Sequence, residues 1–219
     1  VTGKPTVANI ETLRDFTKAL HQLSLGTESP SLAIIGDSWT AGISQGIGYW
    51  DAFAELMYSK YGFGGHGWLT FANPGANGSL PNPARAVVTR GGTIVNGDGV
   101  TAKGLHLGHI ELGASSFIQV VTQASTFDIH YYRVSGGGTF RYNIDGGAFT
   151  SVSTDGAEAI IIVNITGLSD ASHTLRIENE SGIAIIAGAD ARRPVGSGVV
   201  IHSLGNGGSK TEDWAAVTA

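Results

Sequence analysis

From about Ala84 to about Arg193 the chain shows no helical periodicity. Strand-length runs recur instead at 85–89, 117–122, 127–134, 139–144, 148–152, 159–165, 173–178 and 183–187, parted by turn residues. Phe140, Tyr142 and Ile144 alternate with polar residues, and Asp145-Gly146-Gly147 then turns the chain into Ala148-Phe149. Alternation followed by Asp-Gly is a strong hairpin signal. Many short strands at this spacing predict a β-sandwich. Composition agrees, since 33 of the 219 residues are glycine and only 14% are charged. Such a chain favours turns and buried sheet faces over long solvated helices.

The flanks read differently. Ile10, Leu13, Phe16, Leu20 and Leu23 recur at helical spacing within 7–25, and Gly26 is placed to end that helix. Leu32-Ala33-Ile34-Ile35 is a short continuous apolar run, which predicts a buried parallel strand. A second helix is expected over 47–60, with Trp50, Phe53, Ala54, Met57 and Tyr58 on one face, and a short strand over 68–72. An apolar strand returns at Val199-Val200-Ile201-His202, and a helix is expected to start near Ser209 or Thr211. Strand, glycine turn and helix on both sides of the β segment predict an α/β fold interrupted by an all-β insertion. The expected divisions are a linker and N-terminal helix at 1–30, the first part of the α/β domain at 31–83, the sandwich at 84–193 and the α/β part resumed at 194–219.

The apolar run ends in Gly36-Asp37-Ser38. Open α/β sheets place ligands at the carboxyl ends of their strands, where a serine is a nucleophile if a base reaches it. The same residues are good turn chemistry, and Asp37 or Ser38 could simply cap the next helix. Gly36-Asp37-Ser38-x-x-x-Gly42 directly after an apolar strand resembles the first conserved block of the SGNH (GDSL-type) hydrolases. It differs from a Gly-x-Ser-x-Gly elbow because Thr40 stands two places after Ser38. The resemblance implies Ser38 as the nucleophile and its backbone N–H as part of an oxyanion hole, with Gly36 and Asp37 in support. It also implies a three-layer domain built on a parallel sheet, incomplete in this chain, around the inserted sandwich.

Leu204-Gly205-Asn206-Gly207-Gly208 resembles the second block of that family. It implies that the amide of Gly208, with Gly207 as the near alternative, serves the oxyanion hole. Developing negative charge needs such preorganised donors. The family's Gly-x-Asn-Asp and Asp-x-x-His blocks do not occur in residues 1–219. The resemblance therefore implies an N-terminal piece whose catalytic His and Asp come from the C-terminal remainder of the same protein, and which is inactive alone. The seven histidines are His21, His66, His106, His109, His130, His173 and His202. All read as structural, with recruitment of His66 or His202 as the base left open.

The stretch from Phe140 through Ile177 resembles the jelly-roll inserts of some SGNH esterases, and related modules often pack against carbohydrate. Tyr131, Tyr132 and Phe149 are the candidate glycan-facing aromatics, each equally at home in a core. The implied function is removal of acyl groups, acetyl first among them, from a carbohydrate or polysaccharide. The rival is a glycan-binding or adhesin module with a vestigial serine site. The implied setting is a phage tail or a secreted bacterial enzyme, hence extracellular or virion-associated. No cofactor or metal is expected, because His106 and His109 lack an acid cluster to complete a site. A net charge of −5 without a basic run argues against nucleic acid. No apolar stretch reaches the roughly 20 residues of a membrane span. The absence of cysteine removes disulfides and thiol catalysis. Homo-oligomerisation is left open.

Overall fold

The computed structural model describes residues 10–36, 49–72, 86–98, 104–206, 209–210 and 212–213. Helix α1 (Ile10–Ser24) ends in a Schellman turn. Gly26 takes a φ of 70°, its N–H bonds Leu23 O at 2.9 Å, and Thr27 N–H bonds Gln22 O at 3.1 Å. That left-handed position suits glycine, and the two bonds satisfy carbonyls the helix would leave open. Strand β1 (Ser31–Gly36) follows, then helix α2 (Tyr49–Tyr61) and strand β2 (Gly67–Leu69).

Ten strands come next: β3 (Ala86–Gly91), β4 (Ile94–Asp98), β5 (Gly108–Leu112), β6 (Phe117–Ala124), β7 (Thr126–Arg133), β8 (Thr139–Ile144), β9 (Thr150–Ser153), β10 (Ala159–Ile165), β11 (Ala171–Ser181) and β12 (Ala184–Arg192). They form two antiparallel sheets. One runs β10-β7-β12-β5-β4, with β2 added on β12, and the other runs β3-β6-β11-β8-β9. Their inner faces share one core. Ile110, Leu112, Phe127, Ile129 and Ile186 from the first sheet meet Ile118, Val120, Phe140, Leu175 and Ile177 from the second. All ten are fully buried. Leu69, Phe71 and Ala72, upstream of the β-rich stretch, belong to the same core. The strands alternate buried and half-exposed residues, as along β6, where Ile118, Val120, Thr122 and Ala124 are buried between half-exposed neighbours, the period-2 pattern of a sheet with one wet face.

Strand β13 (Val200–Gly205) closes the sequence of elements and pairs with β1 in parallel. Ala54 and Tyr58 of α2 pack with Val199 and Ile201, and Leu20, Leu23, Ile34 and Met57 flank them.

The expected three-layer α/β domain on a parallel sheet is overturned. About half of the described residues are strand, overwhelmingly in antiparallel sheets, and two helices accompany them. The apolar runs at 32–35 and 199–202 do pair in parallel, but among the described residues as a two-stranded ribbon. Two strands cannot bury both faces of a sheet. The run at 32–35 is accordingly not the buried strand its composition predicts, for β1 alternates exposed and half-buried residues and Ile35 is 54% exposed. Antiparallel pairing between strands far apart in sequence, such as β7 with β12 and β6 with β11, dominates the described architecture.

Candidate functional site

The two sequence motifs meet at one edge. In the parallel register Ile35 pairs with Leu204 and Gly36 with Gly205, so β1 and β13 end side by side. Asp37, Ser38, Gly207 and Gly208 lie outside the described residues. Gly36 is described, and it is held tightly. Its carbonyl accepts the N–H of Asn206 at 2.9 Å and faces Ser209 Oγ at 3.2 Å. The Ser209 hydroxyl also lies 2.8 Å from Asn206 O. Asn206 is buried, and its Nδ2 donates to His106 O and Leu107 O, both at 2.9 Å. One side chain thus clamps the end of β13 to the loop before β5. Leu107 in that loop takes a φ of 57°, a strained position for a non-glycine residue. The sequence reading assigned Asn206 no role of its own.

Behind the clamp lies a buried polar chain. Trp68 Nε1–H donates to His106 Nδ1 at 3.0 Å. The proton of His106 therefore sits on Nε2, which contacts Thr70 Oγ1, and the Thr70 hydroxyl donates to Ala72 O at 2.9 Å. Every donor in this chain has an acceptor, and the bond from Trp68 requires a neutral imidazole because Nδ1 must accept it. Burial, with the nearby His109 acting in the same sense, pushes the His106 pKa down to about 3.

His202 meets the backbone of Trp68 rather than its indole N–H. Its Nδ1 accepts the backbone N–H of Trp68 at 3.0 Å, so it too is fixed as the neutral Nε2–H tautomer. The backbone approaches closely here because Gly67 has no side chain. A Cβ on Gly67 would stand 2.9 Å from His202 Nδ1. Asp190 is 3.9 Å from that nitrogen, beyond hydrogen-bond reach, and Arg192 occupies both its oxygens at 3.1 and 2.9 Å. Burial lowers the pKa of His202, Asp190 opposes that shift and Arg192 adds to it. His130 meets Trp68 edge-on, with centroids 5.0 Å apart, and burial lowers its pKa against the pull of Asp190 and Asp128. His66 is buried, and His109 lies 3.9 Å from Glu111. Neither His106 nor His202 is oriented by a carboxylate, as a general base of a serine hydrolase is.

One constellation in the sandwich does have the outline of a triad. His173 Nδ1 lies 2.6 Å from Asp145 Oδ2, and Ser169 Oγ lies 3.4 Å from Nε2. Its protonation is wrong for a base. Nε2 also lies 2.9 Å from the carbonyl of Ser169, which can only accept. Both ring nitrogens thus donate, and the hydrogen bond to Asp145 raises the His173 pKa while burial partly opposes the rise. Without a lone pair on Nε2 the ring cannot take a proton from Ser169. The cluster is a staple. Asp145 and Gly146, at φ 54° and 72°, form the two-residue turn between β8 and β9, and Asp145 Oδ1 accepts Thr174 N–H at 2.7 Å.

Of the candidate glycan-facing aromatics, Tyr131 is a core residue packed edge-on to Phe140. Tyr132 is half-buried on the outer face of the six-stranded sheet and donates to Glu158. Phe149 is 39% exposed beneath the Arg141 guanidinium. Among the described residues no group of three His, Cys, Asp or Glu converges as metal ligands, and no helix is long and apolar enough to cross a membrane.

No protein-family model matches the chain, and no curated protein is significantly similar to it. Its fold is similar to part of a structurally characterised peptidoglycan O-acetylesterase. The two superpose with a TM-score of 0.65 at 17% identity, over 92% of this chain and 54% of the esterase. The chain thus spans about half the length of that enzyme. A family two carbohydrate esterase from Cellvibrio japonicus overlaps 49% of the chain and 34% of its own length, at 12% identity and a TM-score of 0.36. A two-domain esterase active on acetylated mannans overlaps 49% of the chain and 37% of its own length, at 7% identity and a TM-score of 0.35.

Proposed function

We propose that this chain carries the nucleophile of a serine esterase that removes acetyl groups from a glycan, with peptidoglycan the first candidate. One observation carries the reading. Gly36 and Gly205 are register partners, so the Gly-Asp-Ser motif and the Gly-Asn-Gly-Gly motif leave adjacent strand ends, in a fold shared with a peptidoglycan O-acetylesterase.

In this reading the Ser38 hydroxyl attacks the ester carbonyl. Charge then collects on the carbonyl oxygen, and the amides of Ser38 and Gly208 donate to it. The acyl group passes to Ser38 as the sugar hydroxyl leaves with a proton, and water releases acetate in the second half-reaction. The clamp of Asn206 on the 104–107 loop supports the role of the second motif, because oxyanion donors act only when held in place. The proton acceptor is assigned to none of the described histidines. His106 and His202 commit their Nδ1 to Trp68, and His173 is already doubly protonated.

Acetate release from O-acetylated peptidoglycan tests this, comparing the full-length protein with its Ser38→Ala variant. Turnover should fall by several orders of magnitude with the fold intact. Near-normal turnover by the variant excludes Ser38 as nucleophile.

A further inference from the structure

We propose that the outer face of the five-stranded sheet holds a saccharide, in the cleft where the β5–β6 and β11–β12 turns rise beside Arg141, Arg176 and Glu178. This rests on the reading of a glycan as substrate, and it locates a second contact away from the strand ends of β1 and β13.

The cleft has a volume of about 480 Å³, within the range of about 300–1,000 Å³ usual for ligand sites. A row of side chains crosses the sheet along its floor. Arg141 stacks over Phe149 at 4.4 Å and grips Glu178 Oε2 through Nε and Nη2 at 3.1 and 2.8 Å. Arg176 binds Glu178 Oε1 at 2.5 Å and Gln119 Oε1 at 3.2 Å, and stacks over Phe117 at 4.1 Å. Phe117 in turn covers Gly91, where a Cβ would stand 2.4 Å from the ring. Each guanidinium is held from two sides, so its rotamer freedom is already lost before a ligand arrives.

Hydrogen-bonding capacity is left over. Arg141 Nη1 and Arg176 Nη2 have no hydrogen-bond partner among the described residues. The Asn179 amide donates to Leu112 O at 2.7 Å and Gly182 O at 2.8 Å, which ties the β5 strand to the β11–β12 turn at the cleft wall. Glu178 stays an acceptor, because burial raises its pKa but the bonds from Arg176 and Arg141 together outweigh it and hold the carboxyl below its usual value. Arg141 and Arg176 are offset by Glu178 and Glu180, so the lining is electrically neutral. A phosphate or polyanion gains little there. A ring carrying several hydroxyl and amide groups, each able to donate and accept, matches fixed donors beside fixed acceptors and an aromatic edge. Of the three candidate aromatics, Phe149 lies beneath Arg141, Tyr131 is buried in the core and Tyr132 is on the other sheet.

Chitotetraose serves as the probe of an amino-sugar glycan. In nitrogen–proton correlation NMR of the unaltered chain, the Nε–H signals of Arg141 and Arg176 should shift saturably on titration. Arg176→Ala should weaken binding about tenfold, the loss of one hydrogen bond from a charged donor. Tyr132→Phe, on the other sheet, should leave binding unchanged. No shift at millimolar sugar, or shifts confined to the six-stranded sheet, overturns the proposal, and the titration of the unaltered chain decides even if Arg176→Ala fails to fold. Hydrolysis of para-nitrophenyl acetate by the full-length protein reads the ester site separately. Arg176→Ala should spare it, whereas Ser38→Ala should abolish it and spare sugar binding.

Discussion

His106 should make this fold acid-sensitive by an amount that can be worked out. The ring is buried at 2% exposure, and Trp68, Thr70 and Ala72 form a chain that accepts only its neutral form. Its pKa is pushed down to about 3, whereas an unfolded histidine titrates near 6.5. Between those values the unfolded chain binds a proton that the native chain refuses. Stability is therefore full above about pH 6.5 and falls as the pH drops. At pH 5 the loss is about 2 kcal/mol, one proton over roughly 1.5 units at about 1.36 kcal/mol each. His106→Gln isolates the effect, since a glutamine amide offers an acceptor to Trp68 and a donor to Thr70 and does not titrate. Urea unfolding followed by tryptophan fluorescence at several pH values measures both proteins. Their difference cancels the contributions of His130, His173 and His202. The parent should lose about 1.4 kcal/mol per pH unit more than the variant between roughly pH 4 and 6. Parallel slopes would mean that His106 is protonated in the folded state, and the neutral chain through Trp68 would be wrong.

Other expectations follow from the same geometry. His173 should titrate above its ordinary value by NMR, since Asp145 raises its pKa, so its stabilisation is complete below about pH 6.5 and is lost as the pH rises through the elevated value. Asp145 runs the other way, its pKa lowered by the Thr174 amide and then His173, so its contribution is lost as the pH falls through that lowered value. Phe140→Ala empties a fully buried site between the sheets and should cost about 3–5 kcal/mol in chemical unfolding. Gly67→Ala places a Cβ 2.9 Å from both His202 Nδ1 and Val200 Cγ1 at a φ of 72°. It should lower the melting temperature and shift the His202 ring signals, and an unchanged melting temperature would show that the backbone there has room to move.

What could be read in the sequence was local. The β8–β9 hairpin announces itself because Asp145-Gly146 is the turn, and its flanking strands alternate. The end of α1 is legible because Gly26 is the residue its left-handed position requires. Strands β4 and β5 escaped notice, for each is five residues long and each carries a glycine where a strand former is expected. Their evidence lies in pairing with each other and with β12, which no local window contains. The parallel domain was overread because an apolar run between two helices looks the same whether its strand has one neighbour or several. Both motifs at the candidate edge were visible, but what braces them was not. Trp68 finds His106 across 38 residues, and Asn206 finds the His106 carbonyl across 100. The Asp145-His173-Ser169 cluster likewise arises from sheet register, and its protonation is set by a backbone carbonyl that no motif records.

The identity of the nucleophile is the point on which the account stands most directly. Mass spectrometry of the full-length protein after treatment with a fluorophosphonate probe, with the adduct located by peptide fragmentation, measures it. The account predicts a single adduct on Ser38, lost in Ser38→Ala together with acetate release from O-acetylated peptidoglycan. A protein that releases acetate while its adduct sits on another serine, Ser169 included, would contradict it.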